Sequence, residues 1–198
     1  MNAMRAGFAA ACITPMPGMD IPGLFERRLA RGTLDNLHAR AAVFEGETTV
    51  ALVQVDAIGT TIASTCTSAT VVFEGETTVA LVQVDAIVVP ETVVAKARQE
   101  AHRLCGIPAA HCFIAATHTH SGGPLFGGFL SEPDKGYMDF VAGHIAAAIA
   151  EAMRVRRPAL VGWSTAAAPG VAFNRRFLMK DGLQRTHPGK MNPEIVER

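Results

Sequence analysis

The chain has 198 residues, in which 18 Lys and Arg balance 18 Asp and Glu, and 49% of its residues are hydrophobic. That balance excludes a strongly basic or acidic surface, and with it nucleic acid or an anionic membrane as an electrostatic partner. The length suits one sizeable domain or part of a larger one, and no run of about 18 uninterrupted apolar residues marks a transmembrane helix.

The apolar stretch within residues 1–12 is too short for a secretory leader, so it is expected to form a first strand and the protein to be cytoplasmic. Cys12, Cys66, Cys105 and Cys112 have neither CxxC nor zinc-finger spacing and read as buried reduced thiols. Pro15, Pro17, Gly18, Pro22 and Gly23 mark a surface loop. Arg27, Arg28 and Arg31 follow it and read as a solvated face.

From Val43 to Asp56, two β-rich runs flank Glu45-Gly46-Glu47, which is a hairpin signal. The second arm is apolar almost throughout, as a central strand covered on both faces would be. It ends in Asp56, a carboxylate placed for a site or for a helix cap. Residues 43–58 then recur unchanged at 72–87, an offset of 29. The join from Gly59 to Val71 is rich in Ser and Thr, without amphipathic period. One perfect copy is a duplication, in the gene or in the assembly of the sequence, rather than a solenoid, which needs at least about three units. Each copy can close its own hairpin, only one can take the central position, and the other is expected as an edge ribbon. The whole chain, 1–198, is otherwise read as a single domain.

Pro90 and Glu91 open a predicted helix to Leu104, with Val93, Val94, Ala97 and Ala101 at 3–4 spacing and Gly106 beyond its end. Its flanking strands make a βαβ unit with a parallel pair. The second of these strands, Phe113–Ala116, runs into Thr117-His118-Thr119-His120-Ser121-Gly122-Gly123-Pro124. On an extended strand, residues two apart share a face, so His118 and His120 can grip one metal ion, Zn²⁺ being the commonest such partner. The loop after it offers Leu125, Phe126 and Phe129 either to a lipid chain or to the core. A helix from about Asp134 to Val155 follows, with Tyr137, Phe140, Val141, Ile145, Ala148, Ile149, Ala152 and Met153 as its buried stripe. His102 and His144 read as helix flank or core residues. Leu160–Ser164 reads as a short strand, and Lys180–Arg198 as a polar excursion. The fold class is α/β, a mixed sheet with flanking helices.

Several of these pieces together resemble the N-terminal part of the neutral/alkaline non-lysosomal ceramidase family. The resemblance is carried by Ala6-Gly7-Phe8, Ile13-Thr14-Pro15, Gly18, Ala39-Arg40-Ala41, the strand ending in Asp56 or Asp85, Ala116–Gly122, and Asn174-Arg175. It implies an incomplete portion of a larger catalytic domain, in a zinc-dependent hydrolase that cleaves ceramide to sphingosine and a fatty acid. The substrate class is then a lipid-like N-acyl amide, with Ser121, Gly122, Asn174 and Arg175 on its side of the site. The family's metal is held by a GxH histidine, a histidine of HTHSG, and a Glu and a Tyr farther on. Here the GxH position reads Gly32-Thr33-Leu34. His38 lies four residues on, about 13 Å along a straight strand, too far to take that place unless the chain bends, and is a candidate ligand beside His118 and His120. With the Glu and Tyr expected beyond Arg198, this chain alone is expected to be inactive. An amidohydrolase-type metal hydrolase, which carries HxH on its first barrel strand, and a binding or assembly domain without metal are the alternatives.

Overall fold

The computed structural model describes residues 4–47, 52–53, 70–71, 76–128, 130–160, 162, 166–167, 176–186, 188–189 and 191–197. The chain divides into two compact units, one of residues 1–48 and 74–160, the other of residues 49–73 and 161–198. Asp56, Cys66, Phe129, Asn174 and Arg175 lie outside the described residues.

In the first unit, β1 (Arg5–Cys12) pairs antiparallel with β2 (His38–Glu47). In the second unit, the short strands β3 (Leu52–Val53) and β4 (Thr70–Val71) pair with each other. Back in the first unit, β5 (Glu76–Val84) lies antiparallel to β2, and α1 (Glu91–Cys105) carries the chain to β6 (Cys112–Ala116), parallel to β5. After α2 (Lys135–Arg154), β7 (Arg157–Pro158) closes the sheet, whose order is β6-β5-β2-β1-β7. It is a mixed α/β sheet with two flanking helices, as expected. Most of the short strand foreseen at Leu160–Ser164 lies outside the described residues, and β7 forms where the chain leaving α2 meets the free edge of β1.

Alternation along the strands sets the core. Ala39, Ala41 and Val43 of β2 and Ala80, Val82 and Val84 of β5 are buried against the helices. From α1 come Val93, Ala97 and Ala101, and from α2 Tyr137, Val141, Ile145, Ile149 and Ala152. The small residues permit close approach: a Cβ on Gly7 of β1 would lie 1.9 Å from the Ala152 carbonyl oxygen. Gly106 ends α1 in the left-handed region (φ 77°), donating its N–H to His102 O. Asp134 caps α2, its Oδ1 accepting from Tyr137 N at 2.7 Å. On the opposite sheet face, Phe8 and Phe44 meet edge to face at 6.0 Å, and Phe8 is exposed. Cys12 is exposed there as well, against expectation, because its strand position faces away from the helices; Cys112 is buried.

Among the described residues, the arms of the duplicated segment pair across the copies. Phe44 faces Val79, the second-copy counterpart of Val50, and Glu47 faces its own counterpart Glu76. The central pair therefore joins the first arm of one copy to the second arm of the other. In the second unit, Leu52 pairs with Val71, which stands at the offset of Ala42, the partner of Leu81. Identical arms offer identical side-chain patterns, so exchanging copies leaves the register unchanged. The remaining polar stretch of the second unit contains β8 (Arg176–Met179), β9 (Gln184–Thr186) and β10 (Ile195–Glu197), a sheet of order β10-β8-β9 that lacks a strong apolar pattern.

If the copies serve one hairpin, excising residues 47–75, one repeat length, keeps the central pair up to Glu45 opposite Thr78 and closes it with a short turn. The shortened chain is expected to fold with the same α/β signature and to gain about 2 kcal/mol from the shorter loop closure. Urea unfolding of the two chains measures this, and loss of cooperative unfolding in the shortened chain would count against the copy-exchanged pairing.

Candidate metal centre

The parallel strands β5 and β6 end in register, Val84 opposite Ala116, and two loops leave that sheet edge side by side. Thr117 N still donates to Val84 O at 2.9 Å. Gly122 is pressed against the other loop, where a Cβ would stand 2.8 Å from Ala86 Cα. Gly123 lies under the ring of Tyr137, whose hydroxyl donates to Ile13 O at the end of β1. Burial pushes the Tyr137 phenol well above its ordinary range, so it stays a neutral donor. The edge beyond the carboxyl ends of parallel strands is where open α/β sheets place ligands.

The strand stops two residues before His118, so strand alternation is not what aligns the histidines. His118 takes the left-handed backbone region (φ 61°), a conformation that costs a non-glycine residue roughly 1–2 kcal/mol. The turn brings the two rings together, with centroids 5.1 Å apart and planes at 88°. His118 Nδ1 donates to Ile87 O at 2.8 Å, and His120 Nδ1 donates to Gly23 O at 2.6 Å. A carbonyl only accepts, so in each neutral ring the hydrogen sits on Nδ1 and the lone pair on Nε2. This backbone-carbonyl partner on the second nitrogen is the usual support of a metal-binding histidine. With Zn–N near 2.0 Å and tetrahedral angles, two imidazoles on one ion have ring centres about 5 Å apart. The 5.1 Å ring separation is compatible with that spacing.

His38 is arranged differently. Its backbone N–H donates to Asp85 Oδ2 at 2.9 Å, and its Nδ1 lies 3.2 Å from Arg40 Nη2. A guanidinium only donates, so Nδ1 accepts and Nε2 carries the hydrogen. Arg40 Nη1 also binds Asp85 Oδ2 at 2.6 Å. Asp85 thus ties the start of β2 to the end of β5. Among the described residues, no three His, Cys, Asp or Glu side chains are grouped so as to hold a metal ion. Leu34, at the position where the family resemblance places a histidine, is fully exposed. Ser121 is exposed beside His120, and Gly122 is buried. Leu125 turns into the core, while Phe126 is half-buried.

A third segment packs against His120. Residues 18–30 double back, Gly18 N donating to Ala30 O and Ala30 N to Met19 O, both at 2.8 Å, with an Asp20–Leu29 bridge between. Asp20 is buried; its carboxylate takes Arg27 Nε at 2.9 Å and Glu132 N at 3.2 Å. The Arg27 hydrogen bond, then that from Glu132 N, hold Asp20 below the usual carboxylate range. Of the arginines read as a solvated face, Arg28 departs from expectation. It is half-buried, and its Nη2 donates to His120 O at 2.6 Å. Neither Arg28 nor Gly23 carries a local sequence signal for this role.

A scan against protein-family models and a search of curated proteins found no match. Solved structures do match. A neutral ceramidase from Pseudomonas aeruginosa aligns with a TM-score of 0.58 at 18% identity, over 80% of this chain and 22% of that one. A structure described as ceramidase complexed with C2 aligns at 0.56 and 21% identity, over the same shares. The fold is ceramidase-like. The chain spans about a fifth of these ceramidase chains and so corresponds to part of a larger ceramidase domain. Among the described residues, no helix of this ceramidase-like unit is long and apolar enough to cross a membrane.

Asp20 gives this third segment a pH dependence. Its depressed folded value means that its stabilisation is present above the unfolded carboxylate value, about 3.9, and is lost as the pH falls through the lower folded value. At pH 7, Asp20→Asn is expected to lower stability by about 1 kcal/mol, since Arg27 is mostly exposed. Denaturant titrations from pH 7 to pH 2 should show wild type and variant converging at the acid end; a constant gap would refute the assignment.

Proposed function

We propose that this chain is the metal-binding part of a zinc-dependent hydrolase that cleaves N-acyl amide bonds in lipid-like substrates, as the name ceramidase implies for its structural neighbours. The observation that carries the reading is the histidine pair, both rings held by Nδ1–H bonds to backbone carbonyls at the carboxyl edge of a parallel strand pair. His118 and His120 would hold the ion, with the remaining ligands supplied from outside the described residues.

Zinc, when bound, lowers the pKa of its water and polarises an amide carbonyl. The chain's own residues orient and shape the site. Ile87 O and Gly23 O keep both Nε2 lone pairs directed away from the backbone, and Gly122 lets the two loops close up. Ser121 offers a hydroxyl beside His120. Phe126 and the exposed Leu130 present apolar surface on the following loop, suited to an acyl chain. Asn174 and Arg175 remain candidates for the polar part of the substrate. His38, by its tautomer, would serve as an N–H donor more readily than as a ligand.

A domain that keeps this fold without the metal is the second reading, favoured by Leu34 at the expected ligand position. Cobalt and zinc titration of the 198-residue chain separates the two. The first reading expects one weak site per chain, with the His118 and His120 ring resonances shifting first and affinity lost in His118→Ala and His120→Ala. Equal binding by wild type and the double variant would defeat it. For the amidase activity, the measurement is release of fatty acid from a short-chain N-acyl sphingosine by the longer protein, with loss on chelation and recovery with zinc.

A further inference from the structure

We infer that Arg28 is a positioning residue for His120, and that segment 18–30 is a strap that sets which nitrogen of that ring is free for a ligand. The inference deepens the zinc reading and rests on it only for the identity of the ligand.

Two bonds clasp the same residue from one strap. Gly23 O accepts from the His120 ring at 2.6 Å, while Arg28 Nη2 donates to the His120 backbone carbonyl at 2.6 Å. The same nitrogen lies 3.4 Å from Pro22 O, so Arg28 links the strap's own turn to the histidine loop. The turn disfavours any residue with a side chain. Gly23 has φ +120°, and a Cβ there would stand 3.0 Å from His120 Cβ, His120 Cγ and Ile87 Cδ1. The ring therefore packs directly on the glycine whose carbonyl fixes its tautomer. The strap is braced within itself by Ile21 N to Arg28 O at 2.9 Å and Arg27 to Asp20, and tied to the rest of the unit independently of His120 through Asp20 and Glu132 N. It is thus a fixed frame against which the loop is set.

The remaining chemistry of Arg28 fits that role better than an anion site. Its Nε is buried and has no hydrogen-bond partner, a costly state for a charged side chain. The side chain is spent on two carbonyl oxygens. Releasing it would free the His120 carbonyl, let the loop shift from Gly23 O and leave the ring to sample both tautomers. An Nε2–H ring cannot bind a metal through Nε2.

The test uses the 198-residue chain as wild type, Arg28→Met and Arg28→Lys. Ring-nitrogen NMR of the metal-free protein reads the His120 tautomer, and chelator competition reads zinc affinity. Wild type is expected in the Nδ1–H form. Arg28→Met should show mixed tautomers and bind zinc about 10–100-fold more weakly, the usual effect of losing a supporting group around a metal site. Arg28→Lys keeps a donor for the His120 carbonyl and should recover most of both signals. An unchanged tautomer and affinity in Arg28→Met, or an Nε2–H ring in the wild type, overturns the inference. The wild-type measurement decides even if Arg28→Met does not fold. A tautomer that is fixed in wild type and released in the variant, with no zinc bound by either, supports the strap and overturns the zinc reading.

Discussion

The parallel ladder between β5 and β6 runs in register to Val84 and Ala116, and the two chains leave it together. The contacts between the two loops follow from that shared ending. Asp85 is free to turn back onto β2, where it receives His38 N and Arg40. Ile87 O arrives beside His118, and Gly122 packs against Ala86. Parallel pairing demands a long crossover, and α1 supplies it while burying Val93, Ala97 and Ala101 in the core. A slip of the ladder by one residue would turn Val82 and Val84 outward and separate the loops at the same time. Site geometry and core packing are therefore secured by one register.

The duplication shows how strongly that register is specified. Two identical copies offer several antiparallel alignments, yet the central sheet takes the first arm from one and the second arm from the other. The flanks decide it. Leu37, His38 and Ala39 precede only the first copy, and Ile13 N binds Leu37 O. Val88, Val89 and the α1 start follow only the second. Keeping β1–β2 and β5–α1–β6 intact requires the chain between them to leave at the hairpin turn. Loop-closure entropy grows slowly with length, so a long insertion there costs only about 2 kcal/mol. The other end of the sheet is tied by Arg156, which binds Glu45 through Nε and Nη2 at 2.8 and 3.0 Å.

The parts of this structure that were legible in the sequence are those with local causes. The α1 limits follow from Pro90, Glu91 and Gly106, and α2 follows from Asp134 and its 3–4 apolar spacing. The βαβ unit follows from two apolar runs around a helix, and HxH stands out by its spacing. What escaped depends on contacts between distant residues. Arg28 and His120 are 92 residues apart, and nothing in an arginine-rich loop announces a carbonyl partner. The left-handed turn at His118 reverses the reason for the pairing of the rings while preserving its outcome. Leu125 was equally suited to a lipid or to the core until the packing of the loop buried it.

Two features at this edge are costly for the fold by itself, the left-handed backbone at His118 and the buried, unpartnered Nε of Arg28. Such costs cluster where a constellation of groups must be held ready for a ligand. Their positions here are informative, because both act on the histidine pair and neither supports the core. The turn at His118 brings the rings to 5.1 Å, and Arg28 restrains the backbone of the ring that Gly23 orients. Rings that are already oriented lose less freedom on binding, which raises affinity without adding a contact. That advantage is largest for a centre with few protein ligands of its own. In the proposed reading, a two-histidine centre contributed to a larger domain would need its nitrogens fixed in advance, and the strap and the turn would supply that constraint from within this chain.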